Sequence, residues 1–354
     1  MEFFMIKCGI IGCGVIAPTH LAGYRQIPGV KVAAFCDLVK EKAEKLAADH
    51  PDAKIFTDYK ELLADPEIDA VSICTDHASH AEIVCNALKA GKHLICEKVP
   101  ARTGEDAQEM YQCAKEHPEV VASGIFQHRF NPGNIALRQI IKSGKLGKLL
   151  TVNLNFACLR TNEYYTKDLW RGTIAGEGGG VLINQAIHFL DQLRFLFGNV
   201  QRVSAVSANL THQGVIEVED TVAFTAQFDS GLFVTVNATN SASAPWRSAL
   251  TICGTEVQLE FIDEKLSHLS GNDAENVNSI RMTLENAGNE EKVHGKSYYG
   301  TGHTAQLADF ISAIEEKRSP GVSLADALDS AALVHAVYES CASGKWCEVP
   351  QFTR

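Results

Sequence analysis

No apolar run in this chain of 354 residues approaches the roughly 18–20 residues that span a bilayer, which excludes a helical membrane protein. The N-terminus, Met1-Glu2-Phe3-Phe4-Met5-Ile6, lacks a basic region and runs straight into the first expected strand, so no signal peptide is expected. An excess of positive charge is lacking too. The formal net charge of −11 argues against nucleic-acid binding, which depends on neutralising phosphates. None of the eleven cysteines lies in a C-x-x-C pair, and Cys8, Cys74 and Cys96 fall in apolar runs, where cysteine acts as a small hydrophobe. That usage excludes a disulfide framework and fits a reducing cytoplasm. Internal repeats and low-complexity tracts are also lacking.

What remains is an ordinary globular composition, 45% hydrophobic and 21% charged, on a chain long enough for two domains. Up to about residue 128 the chain alternates short apolar strands with helical patterns. Strands are expected at 7–11, 31–36, 70–75, 93–96 and 120–125, and helices at 17–27, 39–49, 79–90 and 104–116. Gly91 follows the third helix as a C-terminal cap residue. Such a succession implies a doubly wound α/β sheet, parallel and covered on both faces, with right-handed crossovers. Residues 1–128 are therefore taken as a Rossmann domain.

Residues 129–354 carry a different pattern and are taken as an α+β domain. Longer, β-branched strands are expected at 149–158, 202–210, 221–228, 232–239 and 249–253, with a hairpin turn at Asp229-Ser230-Gly231. They imply a large, open, mainly antiparallel sheet, accompanied by helices at 184–197, 305–316 and 324–342. Residues 263–300 are polar and rich in Asn and Gly, and are expected to form loops with one strand near 280–284.

Four segments carry chemistry. Gly12-Cys13-Gly14-Val15-Ile16-Ala17 follows the first strand and opens a helix, so its backbone N–H groups could hold a pyrophosphate. Asp37 ends the second strand at the separation expected of a carboxylate on the adenosine ribose. An acid there favours NAD over NADP, although Lys40 nearby leaves NADP open. A flavin or nucleotide-sugar site could use the same turn.

The third strand ends in Thr75-Asp76-His77-Ala78-Ser79-His80, on the ligand side of such a sheet. Thr75, His77 and His80 are assigned to the nicotinamide half of a cofactor; capping and loop roles for Ser79 and His80 are the alternative. Two histidines without a third ligand do not make a zinc site, and no metal is expected. Glu97-Lys98-Val99-Pro100 ends the fourth strand. A desolvated lysine there can polarise or deprotonate a hydroxyl, unless it is a surface lysine paired with Glu97.

The fourth segment is Gly178-Gly179-Gly180 running into a helix, with Asn184 as a plausible N-cap. Asn184, His188 and Asp191 recur at i, i+4 and i+7, on one helix face. Asparagine can bind a substrate hydroxyl and histidine can act as a general base; a satisfied core histidine is the competing reading.

Taken in order, these segments resemble the Gfo/Idh/MocA oxidoreductases over nearly the whole chain. The resemblance rests on the glycine turn, on Ala87-Leu88-Lys89-Ala90-Gly91-Lys92-His93 leading to Glu97-Lys98, on the glycine-to-His188 helix, and on Tyr299-Gly300-Thr301-Gly302-His303. It implies that Lys98 belongs to an E-K-P motif and that His188 is the acid/base partner. Two departures stand out. Val99 replaces the proline that follows the lysine, which leaves the family's cis bond there open. Asn184 replaces an aspartate that many members carry, and a neutral amide cannot share proton transfer.

Asn184-Gln185-x-x-His188 after Trp170-Arg171-Gly172-Thr173 is similar to the branch acting on nucleotide-sugar or amino-sugar hydroxyls. The resemblance thus implies hydride transfer between nicotinamide and a secondary hydroxyl of a sugar, nucleotide sugar or cyclitol. Arg129, Tyr165, Trp170, Arg171 and His303 are the expected pocket lining. The C-terminal sheet would cover the cleft and join copies into a homodimer or homotetramer. An NAD-recycling glycoside hydrolase and a non-catalytic dinucleotide sensor are the rival functions.

Overall fold

The computed structural model describes residues 5–243, 246–287 and 302–353. Contacts divide the chain into two compact units. One comprises Met1–Gln127, Lys292–Ala331 and Phe352–Arg354; the other comprises His128–Glu291 and Ala332–Gln351. The sequence division at residue 128 leaves the segment 292–331 with the second part, whereas its contacts count with the first.

The first unit holds a six-stranded parallel sheet: β1 (Ile6–Ile11), β2 (Val30–Cys36), β3 (Lys54–Phe56), β4 (Ala70–Ile73), β5 (His93–Cys96) and β6 (Ala122–Gly124). Its spatial order is β3-β2-β1-β4-β5-β6. The strand order reverses between β1 and β4, and that switch point is where sheets of this kind bind ligands. The central strands are buried on both faces, in keeping with their nearly continuous apolar runs.

Helix Gly104–Glu116 starts where Thr103 and Asp106 form a reciprocal capping box. Helix His80–Lys89 is followed by Gly91 at φ +69°, as expected of its glycine. The core of Ile6, Cys8, Ile10 and Tyr24 is closed by Leu307, Phe310 and Ile311 of helix Gly302–Glu316. In the same helix Gln306 accepts from the Phe126 N–H at 3.0 Å and donates to the Gly124 carbonyl at 2.8 Å. All eleven cysteines are free thiols, and Cys8, Cys74 and Cys96 are buried.

The second unit is built on eight strands: β7 (Leu149–Ala157), β8 (Val200–Ala208), β9 (Thr221–Phe228), β10 (Phe233–Thr239), β11 (Arg247–Gly254), β12 (Val257–Ile262), β13 (Lys265–Gly271) and β14 (Cys347–Glu348). Their order is β13-β12-β11-β7-β10-β9-β8-β14, antiparallel except for the β7–β10 pair. Burial alternates along the strands. Val152, Leu154, Val234 and Val236 face the core, while Asn155 and Asn237 stand exposed, with Asn237 donating to Asn155 across the parallel pair at 3.1 Å. Gly231, at φ +82°, makes the β9–β10 hairpin turn.

Three sequence expectations are corrected here. The stretch from 263 holds a strand, β13, where a loop was expected. Residues 280–284 lie in a helix, Ala274–Asn286, rather than a strand. Asp273 caps that helix by accepting from the Glu275 and Asn276 N–H groups, and Ile280 and Leu284 are its buried side chains, one turn apart. The helix expected at 184–197 begins instead with a π-helical turn, Leu182–Ala186, before the α-helix Ile187–Phe197. No helix among the described residues is long and apolar enough to cross a membrane.

Candidate active site

In the first unit the sequence-predicted cofactor residues gather at the carboxyl ends of β1, β2, β4 and β5. Gly12 follows β1 at φ +89°, and a Cβ there would lie 2.6 Å from the Cys74 carbonyl oxygen, so only glycine fits. At Gly14 a Cβ would meet no protein atom within 4 Å, and Val15 is exposed. Helix Ala17–Tyr24 begins at Ile16 with no side-chain cap; Pro18 carries no N–H and the Thr19 N–H bonds the Ile16 carbonyl at 2.9 Å, so the donors facing the turn are those at and before Ala17. Asp37 braces this loop: its Oδ2 accepts from the Cys13 N–H and its Oδ1 from the Val39 N–H, each at 2.9 Å. A carboxylate has about four lone-pair sites, so two such bonds leave acceptor capacity for ribose hydroxyls. Open space over Gly14, uncapped N–H donors and the neighbouring acid together fit a dinucleotide.

At the ends of β4 and β5, Thr75 accepts from the Ser79 hydroxyl at 2.8 Å, and the buried His77 packs against His80 with ring centroids 6.0 Å apart. His80 is fully buried, its Nδ1 2.8 Å from the Val99 carbonyl and its Nε2 3.2 Å from the Thr75 carbonyl. Burial lowers its pKa, against the pull of the two carbonyls. These contacts tie His80 to the backbone at Thr75 and Val99. The Lys98–Val99 bond is cis, as the resemblance would have it for a proline.

Glu97 lies in a buried polar cluster that sequence reasoning did not find. Its Oε1 is 2.9 Å from His20 Nε2 and 3.9 Å from His303 Nε2, and its Oε2 accepts from the Lys98 N–H at 3.1 Å. The other His20 nitrogen is 3.0 Å from the Ser72 hydroxyl, which also meets Tyr24 OH at 2.8 Å. Burial alone would raise the Glu97 pKa, but the His20 hydrogen bond and the charges of His20, His303 and Lys98 bring it down to about 2. Only a histidine on the apolar face of the first helix hinted at this cluster. Of the quoted Tyr299–His303 motif, residues 299–301 lie outside the described residues.

The second unit holds Arg129, Tyr165, Trp170, Arg171, Asn184 and His188. Asn184 is not an N-cap. It sits inside the π-helical turn, and its Nδ2 donates to Glu177 Oε1 and, weakly, to Tyr164 OH at 3.4 Å. A carboxylate from another segment serves the helix start: Glu219 accepts from the Gly180 and Leu182 N–H groups and from Tyr338 OH. Burial pushes Glu219 up to about 7, against the pull of those donors.

His188, 8% exposed, stacks on His128 with centroids 5.0 Å apart. Burial would lower the His128 pKa, but Glu264 at 2.6 Å outweighs it and raises the pKa instead. Arg129 is held by the fully buried Asp191, Nε to Oδ2 at 2.7 Å and a terminal nitrogen to Oδ1 at 2.6 Å. This is a buried ion pair within the second unit. Tyr165 is buried and accepts from Asn240 Nδ2 at 2.7 Å. Arg171 lies over the rings of Tyr164 and Trp170 and donates to Tyr164 OH and to Asp168. Among the described residues no cluster of three or more His, Cys, Asp or Glu could hold a metal.

Comparison with known proteins agrees with this geometry. The family model described as the NAD-binding Rossmann fold of an oxidoreductase family matches residues 6–125, and the model of that family's C-terminal alpha/beta domain matches residues 138–349. Levoglucosan dehydrogenase of Pseudarthrobacter phenanthrenivorans is 26% identical over 98% of this chain and 99% of its own. The 1,5-anhydro-D-fructose reductase of Ensifer adhaerens is 29% identical over 98% and 99%. The crystal structure of the WlbA dehydrogenase from Bordetella pertussis, in complex with NADH and UDP-GlcNAcA, superposes with a TM-score of 0.87 at 26% identity, covering 98% of each chain. The two family models together span most of the sequence, and the chain belongs to the Gfo/Idh/MocA oxidoreductases.

Proposed function

We propose that this oxidoreductase transfers a hydride between nicotinamide C4 of NAD and a secondary alcohol carbon of a sugar, nucleotide sugar or cyclitol. The observation that carries the reading is the pairing, at one sheet's switch point, of an uncapped glycine turn with the buried Glu97 and the half-buried Lys98 that follows it. NAD supplies the hydride acceptor when bound. The backbone N–H groups of Gly14, Val15 and Ile16 would hold its pyrophosphate and Asp37 its adenosine ribose.

His188 takes the hydroxyl proton as general base, Lys98 orients and polarises the oxygen, and Asn184 positions the ring. His303 supports the lysine end through Glu97, and Trp170 and Arg171 contact the substrate's remote part. The open face of the eight-stranded sheet, where a shallow depression of about 300 Å³ is lined by Asn155, Thr221, Asn237 and Thr239, is the surface we assign to contacts between copies.

The test is a turnover screen with NAD and NADP against free sugars, inositols, glycosides and UDP-sugars. Reduced nicotinamide and glycoside cleavage are followed in the same wells. Reduced NAD with one polyol class is the expected result. Aglycone release without net reduction would instead make the chain an NAD-recycling glycosidase. Tight NADH binding with silence in both channels would make it a sensor.

A further inference from the structure

One buried carboxylate beside the proposed substrate residues has no part in the reaction above. Glu177, 1% exposed, immediately precedes the glycines that lead into the helix of Asn184 and His188. Its Oε2 accepts from the Gly172 N–H, and its Oε1 accepts from Asn184 Nδ2. Gly172 itself sits at φ +68°, and a Cβ there would lie 2.5 Å from Ile216 Cγ2 and 3.0 Å from Tyr165 Cδ1, so the position carrying the donor admits only glycine. The two ends of an asparagine amide differ in kind: Nδ2 only donates and Oδ1 only accepts. A carboxylate oxygen only accepts, so this contact decides which end of Asn184 faces Glu177.

We propose that Glu177 is a positioning residue for the substrate site. It fixes the Asn184 amide with Nδ2 inward, so that Oδ1 serves as the acceptor in the site. The substrate atom met by Asn184 is then a hydrogen-bond donor, a hydroxyl or an N–H, and not an ether or carbonyl oxygen. This deepens the reading above and rests on Asn184 and His188 being the substrate residues.

The test compares Glu177→Gln, Asn184→Asp, the double variant and His188→Ala. Glutamine at 177 can offer either of its ends, so the amide at 184 loses its fixed sense. With levoglucosan, myo-inositol or UDP-N-acetylglucosamine, whichever reduces NAD fastest, Glu177→Gln should lower kcat by about 10- to 100-fold with NADH affinity unchanged. In the double variant the introduced glutamine donates to the introduced aspartate, an acceptor again faces the site, and most of that loss should be regained.

A second arm needs no substrate. Asn184→Asp alone puts two carboxylates in contact, which cannot both ionise freely. Its Tm should fall relative to the wild type from pH 5 to pH 8, and the double variant should abolish that fall. Unchanged kcat in Glu177→Gln beside an inactive His188→Ala would overturn the inference alone, as would an Asn184→Asp protein whose Tm tracks the wild type across that pH range. Full turnover in His188→Ala would overturn the site reading and the inference with it.

Discussion

Replacing Asp191 by alanine tests whether Arg129 belongs to the scaffold or to the pocket. The Asp191 carboxylate is fully buried and meets the Arg129 guanidinium through two bonds, of 2.6 and 2.7 Å, with Arg194 a further 3.8 Å from Oδ1. Alanine would leave two guanidinium groups in a buried region facing the space of the lost anion. Breaking a buried ion pair from one side costs about 3–5 kcal/mol, because the surviving charge stays buried while its anion is lost. For a unit of this size each kcal/mol lowers Tm by about 2–4 °C, so the expected drop is about 6–20 °C.

Calorimetry on the wild type, Asp191→Ala and the double variant Arg129→Met/Asp191→Leu measures it. The double variant removes both charges and refills their volume, so it should recover most of the loss. A single variant melting within about 1 °C of the wild type would refute the reasoning, since losing the anion of a buried ion pair cannot be that cheap. So would a double variant that falls as far as the single one. If Arg129 contacted substrate instead, its loss would raise KM and leave Tm in place.

Two further outcomes follow from the proposed roles. Lys98→Ala and His188→Ala should each lower turnover by about 10²–10⁴, the usual worth of a positioned acid or base, with NADH affinity by fluorescence changing little. Unchanged turnover in either variant would remove that residue from the mechanism. Glu97 is held down to about 2 in the folded chain against an ordinary 4.5, so it contributes about 3 kcal/mol that is present above pH 4.5 and disappears as pH falls through about 2. Glu97→Gln should therefore flatten the loss of stability between pH 5 and 2; an acid limb as steep as the wild type's would contradict that.

Where burial and period coincide, the local sequence was informative. Strand His93–Cys96, helix Gly104–Glu116 and strand Thr221–Phe228 fall at their expected bounds because each has a sharp change of pattern at both ends. Strand β3 escaped notice because three residues, none of them buried, carry no period at all. The helix Ala274–Asn286 escaped because its Asn-rich composition masked Ile280 and Leu284 one turn apart and Asp273 before them. Glu97-Lys98 and His188 stood out by their place after strands or glycines. His20, which meets Glu97 across 77 positions, and Glu264, which meets His128 across 136, did not. Long-range pairing leaves no mark in local spacing. The π-helical turn is likewise invisible to a helix period, which assumes one pitch throughout.

That turn makes the spacing between Asn184 and His188 a variable that can be changed without altering either residue. A π-helical turn accommodates one residue more than an α-turn of the same height. Deleting a single residue between them would let the helix close into regular α geometry at nearly the same length, and would place Asn184 three residues before His188 instead of four, a step of about 100° around the axis. His188 would keep its seat against His128, and the amide would swing away from the Glu177 carboxylate. A one-codon deletion could thus separate proton transfer from ring recognition in a single step, and it would read as a minor gap in any alignment of relatives.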